Sequence, residues 1–172
     1  YEGEGFQPLV AFNGWRVAIL NYLDDIHPER NNTMERHTET DEVFVLTKGK
    51  GVLIIGGNGS QVDAIHSQTL EIGKICNVRR NTWHTILLSR DASVLIVEER
   101  DTGEPNSEYT SLSAESCRQI MKSPKWEDHL AQPPNQIRFN PHPAVGKPGE
   151  YPKNQCRNNF RFLLLTTKPM VE

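Results

Sequence analysis

The sequence predicts an all-β domain followed by one short helix and a proline-rich tail. Two observations point there. Up to Arg100, short runs rich in Val, Ile, Leu and Phe alternate with clusters of Gly, Asn, Asp and Ser, as strands and turns do in antiparallel β proteins. Beyond Arg100, helical spacing of apolar residues occurs once, and eight of the chain's eleven prolines fall between Pro124 and Pro169. The strand spacing suggests a β-sandwich or barrel, and two halves parting near Asn58 would fit two Greek keys.

Strands are expected at residues 14–23 (GWRVAILNYL), 42–47 (EVFVLT), 51–55 (GVLII), 61–70, 74–78, 84–89 and 92–98. Each is rich in the β-branched and large apolar side chains that fit a pleated surface. Lys48-Gly49-Lys50-Gly51 turns the second into the third, and the glycines of Gly56-Gly57-Asn58-Gly59-Ser60 supply the positive φ of the next turn. Ser89-Arg90-Asp91 does similar work before SVLIVEE. Residues 101–109 (DTGEPNSEY) read as a loop, and 113–122 (SAESCRQIMK) as the helix, with Cys117, Ile120 and Met121 on one apolar face. The prolines beyond Ser123 deny regular backbone pairing, so 132–157 read as a linker or a loosely held arm. Residues 159–166 (NFRFLLLT) either add a strand to an exposed edge, of this subunit or a neighbour, or form a sticky terminus. The organisation expected is thus a β domain at 1–110, a helix at 111–123 and an arm at 124–172.

A chain of 172 residues can bury a core without disulfides. Its net charge of -3 comes from mixed acidic and basic residues, with no basic stripe and no interleaved aromatics, which argues against nucleic acid and anionic membrane as partners. Cys76, Cys117 and Cys156 are odd in number and widely spaced, which argues for a reducing compartment. No apolar run approaches the roughly twenty residues of a membrane span, and the N-terminal YEGEGFQPLV lacks both parts of a signal peptide. The expectation is a cytoplasmic protein.

The chemistry concentrates in two segments. The first reads Glu35-x-His37, four residues, Glu42, six residues, Gly49; the second reads Gly73, five residues, Arg79-Arg80-Asn81-Thr82-Trp83-His84. In order, spacing and separation these resemble the two motifs of the cupin superfamily, a resemblance covering about residues 6–100. Four positions depart from the pattern. Glu35 stands where the first motif has its first histidine, and Arg79, Asn81 and Leu88 stand where the second has Pro, Gly and Asn.

The resemblance implies a cupin-type jelly-roll β-barrel holding one divalent transition metal. Carried over by position, its ligands are Glu35, His37, Glu42 and His84. Independently of the resemblance, imidazole and carboxylate suit Mn, Fe, Zn, Ni or Co, and the second carboxylate should favour a harder ion such as Mn or Fe. Glu39 rivals Glu35, because His37-x-Glu39 also places two donors on one side of an extended strand. A metal-dependent enzyme converting a sugar or a hydroxy or keto acid is expected, of isomerase or oxygenase type, with Glu42 or Glu35 moving a proton. The alternative is a non-catalytic barrel that binds or senses a small molecule or a metal. A homodimer is expected in either case. Arg79 and Arg80 are placed at the pocket mouth, where they either pair with an anionic ligand or are exposed turn residues. Cys76 is expected to be a buried structural residue. His66 is left out of the metal site. Trp83 should point away from His84, outside the barrel or into a subunit contact, or rim the pocket if the strand begins after it.

Overall fold

The computed structural model of the chain describes residues 1–27 and 29–121. Among them ten strands precede one helix: β1 (Gly5–Phe12), β2 (Trp15–Asn21), β3 (Thr33–His37), β4 (Glu42–Lys48), β5 (Gly51–Ile55), β6 (His66–Leu70), β7 (Ile75–Val78), β8 (His84–Leu88), β9 (Ser93–Glu99), β10 (Ser107–Ser111) and α1 (Ala114–Met121). They form two five-stranded antiparallel sheets, ordered β1-β2-β9-β4-β7 and β10-β3-β8-β5-β6. The chain passes repeatedly from one sheet to the other, as in a jelly roll.

Alternation along the strands decides what lies between the sheets. Ala18 and Leu20, Phe44 and Leu46, Leu53 and Ile55, Ile86 and Leu88, and Val94 and Ile96 all point inward and form one buried cluster. Cys76 belongs to it and is 3% exposed, as expected of a structural cysteine. The outer face of the second sheet is buried as well. Met34, Val52, Ile54, Trp83 and Leu87 form a second cluster beneath Ile120 of α1. Trp83 therefore packs outside the barrel although β8 begins only at His84. Its indole N–H donates to the Gly59 carbonyl at 3.1 Å, and the Arg36 guanidinium lies 4.4 Å above its ring. Ser113 caps α1 by accepting from the Ser116 N–H at 3.0 Å.

Several expectations need correction. Strands β1, β3 and β10 were not foreseen: the first, although rich in apolar residues, is interrupted by Pro8, and the other two are dominated by polar residues. Residues 107–109, expected in a loop, belong to β10 because β3 offers them a free edge. The strand expected at 61–70 begins only at His66, since the preceding residues close a long turn over Trp83. Residues 122–172, with the expected arm, Cys156 and the segment at 159–166, lie outside the described residues.

Two motif positions control the backbone. Gly49 has φ +71, and a Cβ there would stand 2.5 Å from Ala92 Cα, so any side chain at this position clashes with the β9 turn. Asn81, where the cupin pattern has Gly, takes φ 63, a conformation that Asn tolerates better than most residues. Its N–H donates to the His37 carbonyl at 2.7 Å, tying the second motif to the first. Gly49→Ala should lower the unfolding free energy by more than about 1 kcal/mol in urea denaturation, because a residue forced into positive φ is strained even where space allows it. An unchanged midpoint would refute the close approach.

Candidate metal centre

The site grows out of the register of the second sheet. Glu35 on β3 pairs with His84 on β8, and Tyr109 on β10 pairs with Glu35, so the three share the inner face. His37, two residues on, pairs with Ser107 on the same face. From the opposite sheet, β4 contributes Glu42. Val43 pairs with Val97, which brings Glu42 level with Glu98 on β9, and Glu98 in turn faces Arg16 on β2. Glu35, His37, Glu42, His84, Glu98, Arg16, Ser107 and Tyr109 line one cavity of about 270 Å³, walled on its apolar side by Phe6, Leu20, Phe44 and Ile96.

Glu42 is the hub. Its Oε2 lies 3.1 Å from His37 Nε2 and 2.8 Å from His84 Nε2, and the two imidazoles meet edge to face with centroids 5.3 Å apart. Burial alone would push the Glu42 carboxyl up, but the hydrogen bonds from His37 and His84 outweigh it and hold the group at about 2. Each ring is also fixed from behind. His84 Nδ1–H donates to the Thr82 carbonyl at 2.8 Å, and His37 Nδ1 lies 2.8 Å from the Ser107 hydroxyl. Because a carbonyl only accepts, the His84 proton is assigned to Nδ1. Its Nε2 is left as a lone pair in the neutral ring, or as a second donor to Glu42 in the imidazolium. Burial by itself would lower the His84 pKa, but the hydrogen bond and charge of Glu42 raise it, which favours the imidazolium.

Glu35 and Glu98 add two more carboxylates. One ligand atom each from Glu35, His37 and His84 lies within 4.8 Å of the others, and the same holds for His37, Glu42 and Glu98. Burial, reinforced by the charge of Glu42, raises the Glu35 carboxyl above its ordinary range. Glu98 is raised for the same two reasons, against the opposing hydrogen bond from Arg16. Arg16 Nε and Nη2 donate to Glu98 Oε1 at 3.0 and 2.8 Å, and its remaining N–H groups reach the Arg100 and Thr102 carbonyls. The guanidinium also lies 5.1 Å from the centroid of the Phe6 ring. So saturated, Arg16 orients Glu98 and has little left for a ligand.

The structure therefore gathers Glu35, His37, Glu42 and His84 around one cavity. Glu39 is exposed, its nearest partner being Asn106, and takes no part. His66 is exposed on edge strand β6. Arg79 and Arg80 are exposed and line neither depression, and Asp41 accepts the Arg80 N–H at 2.9 Å. Arg16, Glu98, Ser107 and Tyr109 were missed. Arg16 and Glu98 carried a signal, since each sits on the inward parity of its strand, in line with Ala18 and Leu20 or Val94 and Ile96. Ser107 and Tyr109 carried none without β10.

A second depression of about 400 Å³, lined by Arg30, Asn31, Thr33 and Asp25, shares Ile26, Glu35, Thr85 and Tyr109 with the first. It lies where β3 and β8 part after their single paired residue, Glu35 with His84. Asn31 bridges the gap there, donating to Thr85 Oγ1 at 2.9 Å.

The donor set implies a pH profile for the metal-free protein. Glu42 is held below its unfolded value, so its contribution is present above about pH 4.5 and is lost as pH falls toward 2. His84 is raised, so its contribution is complete below about pH 6.5 and is lost as pH rises through the higher folded value. Urea denaturation of the chelated protein should therefore give a larger advantage over Glu42→Gln between those limits than on either side. A difference independent of pH would show that the carboxylate and the imidazolium are not paired.

No protein-family model and no curated protein sequence matches the chain. Solved structures similar to it include a cupin-2 domain containing protein from Shewanella frigidimarina, with 16% identity and a TM-score of 0.42 over 58% of this chain and 85% of that one. The QdtA 3,4-ketoisomerase from Thermoanaerobacterium thermosaccharolyticum, solved as a double mutant with TDP, is 12% identical with a TM-score of 0.45 over 61% and 83%. FeII HppE is 14% identical with a TM-score of 0.43 over 55% and 48%. By its own strand order, and by the meeting of both motif segments in one cavity, the chain has the double-sheet jelly-roll fold of the cupins.

Proposed function

We propose that the cavity holds one divalent transition-metal ion through His37, His84, Glu42 and Glu35, and that its remaining space takes a small polar metabolite, a sugar or a hydroxy or keto acid. One observation carries this reading. Two imidazoles converge through Nε2 on one carboxylate oxygen while Ser107 and Thr82 hold them from behind, the outer support that orients metal-binding histidines. His37 joins two triads whose donor atoms lie within 4.8 Å of one another, one with Glu35 and His84 and one with Glu42 and Glu98, and Glu42 meets His84 directly. Two carboxylates beside two imidazoles lean toward Mn or Fe over Zn, Ni or Co.

When bound, such an ion supplies a Lewis acid that polarises an oxygen of the metabolite. The chain's own residues supply the rest. Phe44 and Ile96 keep one wall apolar, so that polar contacts gather on the donor side. Glu42, with its carboxyl at about 2, is a weak base and better suited to ligation than to the proton transfer expected of it from the sequence. Glu98 lies outside the four ligands and is raised by burial and by Glu42; it is the group best placed to hold a proton, with Arg16 aiming it into the cavity. We place this activity in the cytoplasm on the odd number and wide spacing of Cys76, Cys117 and Cys156. No helix of the described residues is long and apolar enough to cross a membrane.

Elemental analysis of the full chain, purified without chelator and dialysed against each candidate ion, should find one ion per chain. The His37→Ala/His84→Ala variant should retain less than about a tenth of it, as expected when two first ligands are removed. Affinity should also rise as pH rises from about 6.5 through the higher folded value of His84, because binding displaces its proton. A metal-free parent, or metal that survives in the variant, would sink the assignment. A loaded protein that leaves a panel of aldoses, ketoses, hydroxy acids and keto acids unchanged would retain only the binding or sensing role.

A further inference from the structure

The second depression has no part in the metal chemistry, yet it adjoins the first cavity. The two share Ile26, Glu35, Thr85 and Tyr109, and they measure about 400 and 270 Å³. By itself the first falls just under the ~300 Å³ at which small-molecule pockets begin, whereas the pair together lies well inside their range. The junction is held by the fold. Strands β3 and β8 pair at Glu35 and His84 alone, and Asn31, 7% exposed, fixes the parted chain by donating to Thr85 Oγ1 at 2.9 Å and to the Ile86 carbonyl at 3.2 Å. A buried side chain so bonded leaves the slot pre-formed.

We infer that the ligand has two units, and that a neutral glycosyl ring, attached to the sugar or hydroxy acid at the donor set, occupies the second depression; the inference rests on the metal-site reading above. The lining chemistry supports this occupant. Asp25, Arg30, Asn32 and Thr33 are exposed there and offer both donors and acceptors, which suits ring hydroxyls that can act in either sense. Asn32 Oδ1 accepts from the Thr33 hydroxyl at 3.1 Å, so the amide N–H groups of Asn32 remain for a ligand. Tyr109, 54% exposed, lines both spaces and supplies an aromatic ring against which the C–H face of a sugar can lie. Charge decides against an anion. Arg30 is the only cation lining the depression among the described residues, and Asp24 already pairs with it at 3.1 Å while Asp25 adds a further carboxylate. A phosphate would therefore find no unpaired cation and would meet the charge of Asp25. An apolar group would strip water from Asp25 and Arg30 without replacing its hydrogen bonds.

Isothermal titration of the full chain, with metal content measured on the same samples, tests this. The probes are maltose, cellobiose, lactose and their aldonic acids, beside glucose, gluconic acid and glucose 1-phosphate. At least one two-unit probe should bind at least about tenfold more tightly than the single unit at its reducing end, the factor that one or two added hydrogen bonds supply. Asp25→Ala/Arg30→Ala should remove that factor while the affinity for the single unit and the bound metal stay unchanged. Asn32→Trp, which fills the depression from an exposed position, should do the same and decides the matter if the double variant loses its fold. Two-unit probes that bind no better than single ones overturn the inference, as does a preference that both folded variants leave intact. Glucose 1-phosphate binding more tightly than every two-unit probe, and weakened by the same variants, overturns it too. A chain that holds metal but shows no preference for two units faults this inference alone, whereas a preference shown by a chain without metal faults the ion and keeps the subsite.

Discussion

A carboxylate buried between two sheets governs this molecule. Glu42 is 5% exposed in the heart of an apolar barrel, where an unpaired charge would cost far more than folding could supply. It is tolerated because His37 and His84 reach it from the other sheet, so the same contact that satisfies the charge sets how β4 stands against β3 and β8. The supports propagate outward. Ser107 holds His37 and so needs β10 on the edge of β3, and the Thr82 carbonyl holds His84 and so needs the tight turn at Asn81. Site and fold are here one network of hydrogen bonds.

The network is acidic by design of position rather than by surface charge. Glu35, Glu42 and Glu98 project into one cavity, and only Glu98 has an arginine of its own. Burial and mutual repulsion raise Glu35 and Glu98 while the imidazoles draw Glu42 down. Neighbouring carboxyls are thereby pushed apart in acidity, Glu42 favoured in its ionised form and the other two shifted toward the protonated one. The two outer faces show a similar division of labour. Helix α1, Trp83 and Arg36 pack on the second sheet, and no helix among the described residues does the same for the first.

Much of the site was legible because the residues that hold it obey rigid local rules. Gly49 is required by the close approach of Ala92 and Glu42 opens the strand that leads to it, and the cupin resemblance, carried over by position, marked both Glu42 and His37 as candidates. Asn81 shows the limit of matching residue types. It departs from the cupin pattern in identity yet keeps the positive φ that the pattern exists to provide. Of the strands that escaped notice, β3 and β10 are mostly polar and carry little apolar alternation, and β1 is interrupted by Pro8.

By itself the sequence determined the local facts: which runs alternate, where the chain must turn through positive φ, and that Glu35, His37, Glu42 and His84 stand at cupin spacings. Periods of two residues and glycine conformations are written within a few positions of one another, so they can be read in one dimension. Only the tertiary structure decided that Arg16 and Glu98 join the cavity, that Ser107 supports His37 from 70 residues away, and that Arg79 and Arg80 do not line it. Those outcomes depend on which strands become neighbours, and strand pairing is settled by the burial of both sheets together, a sum over the whole barrel that no short segment carries.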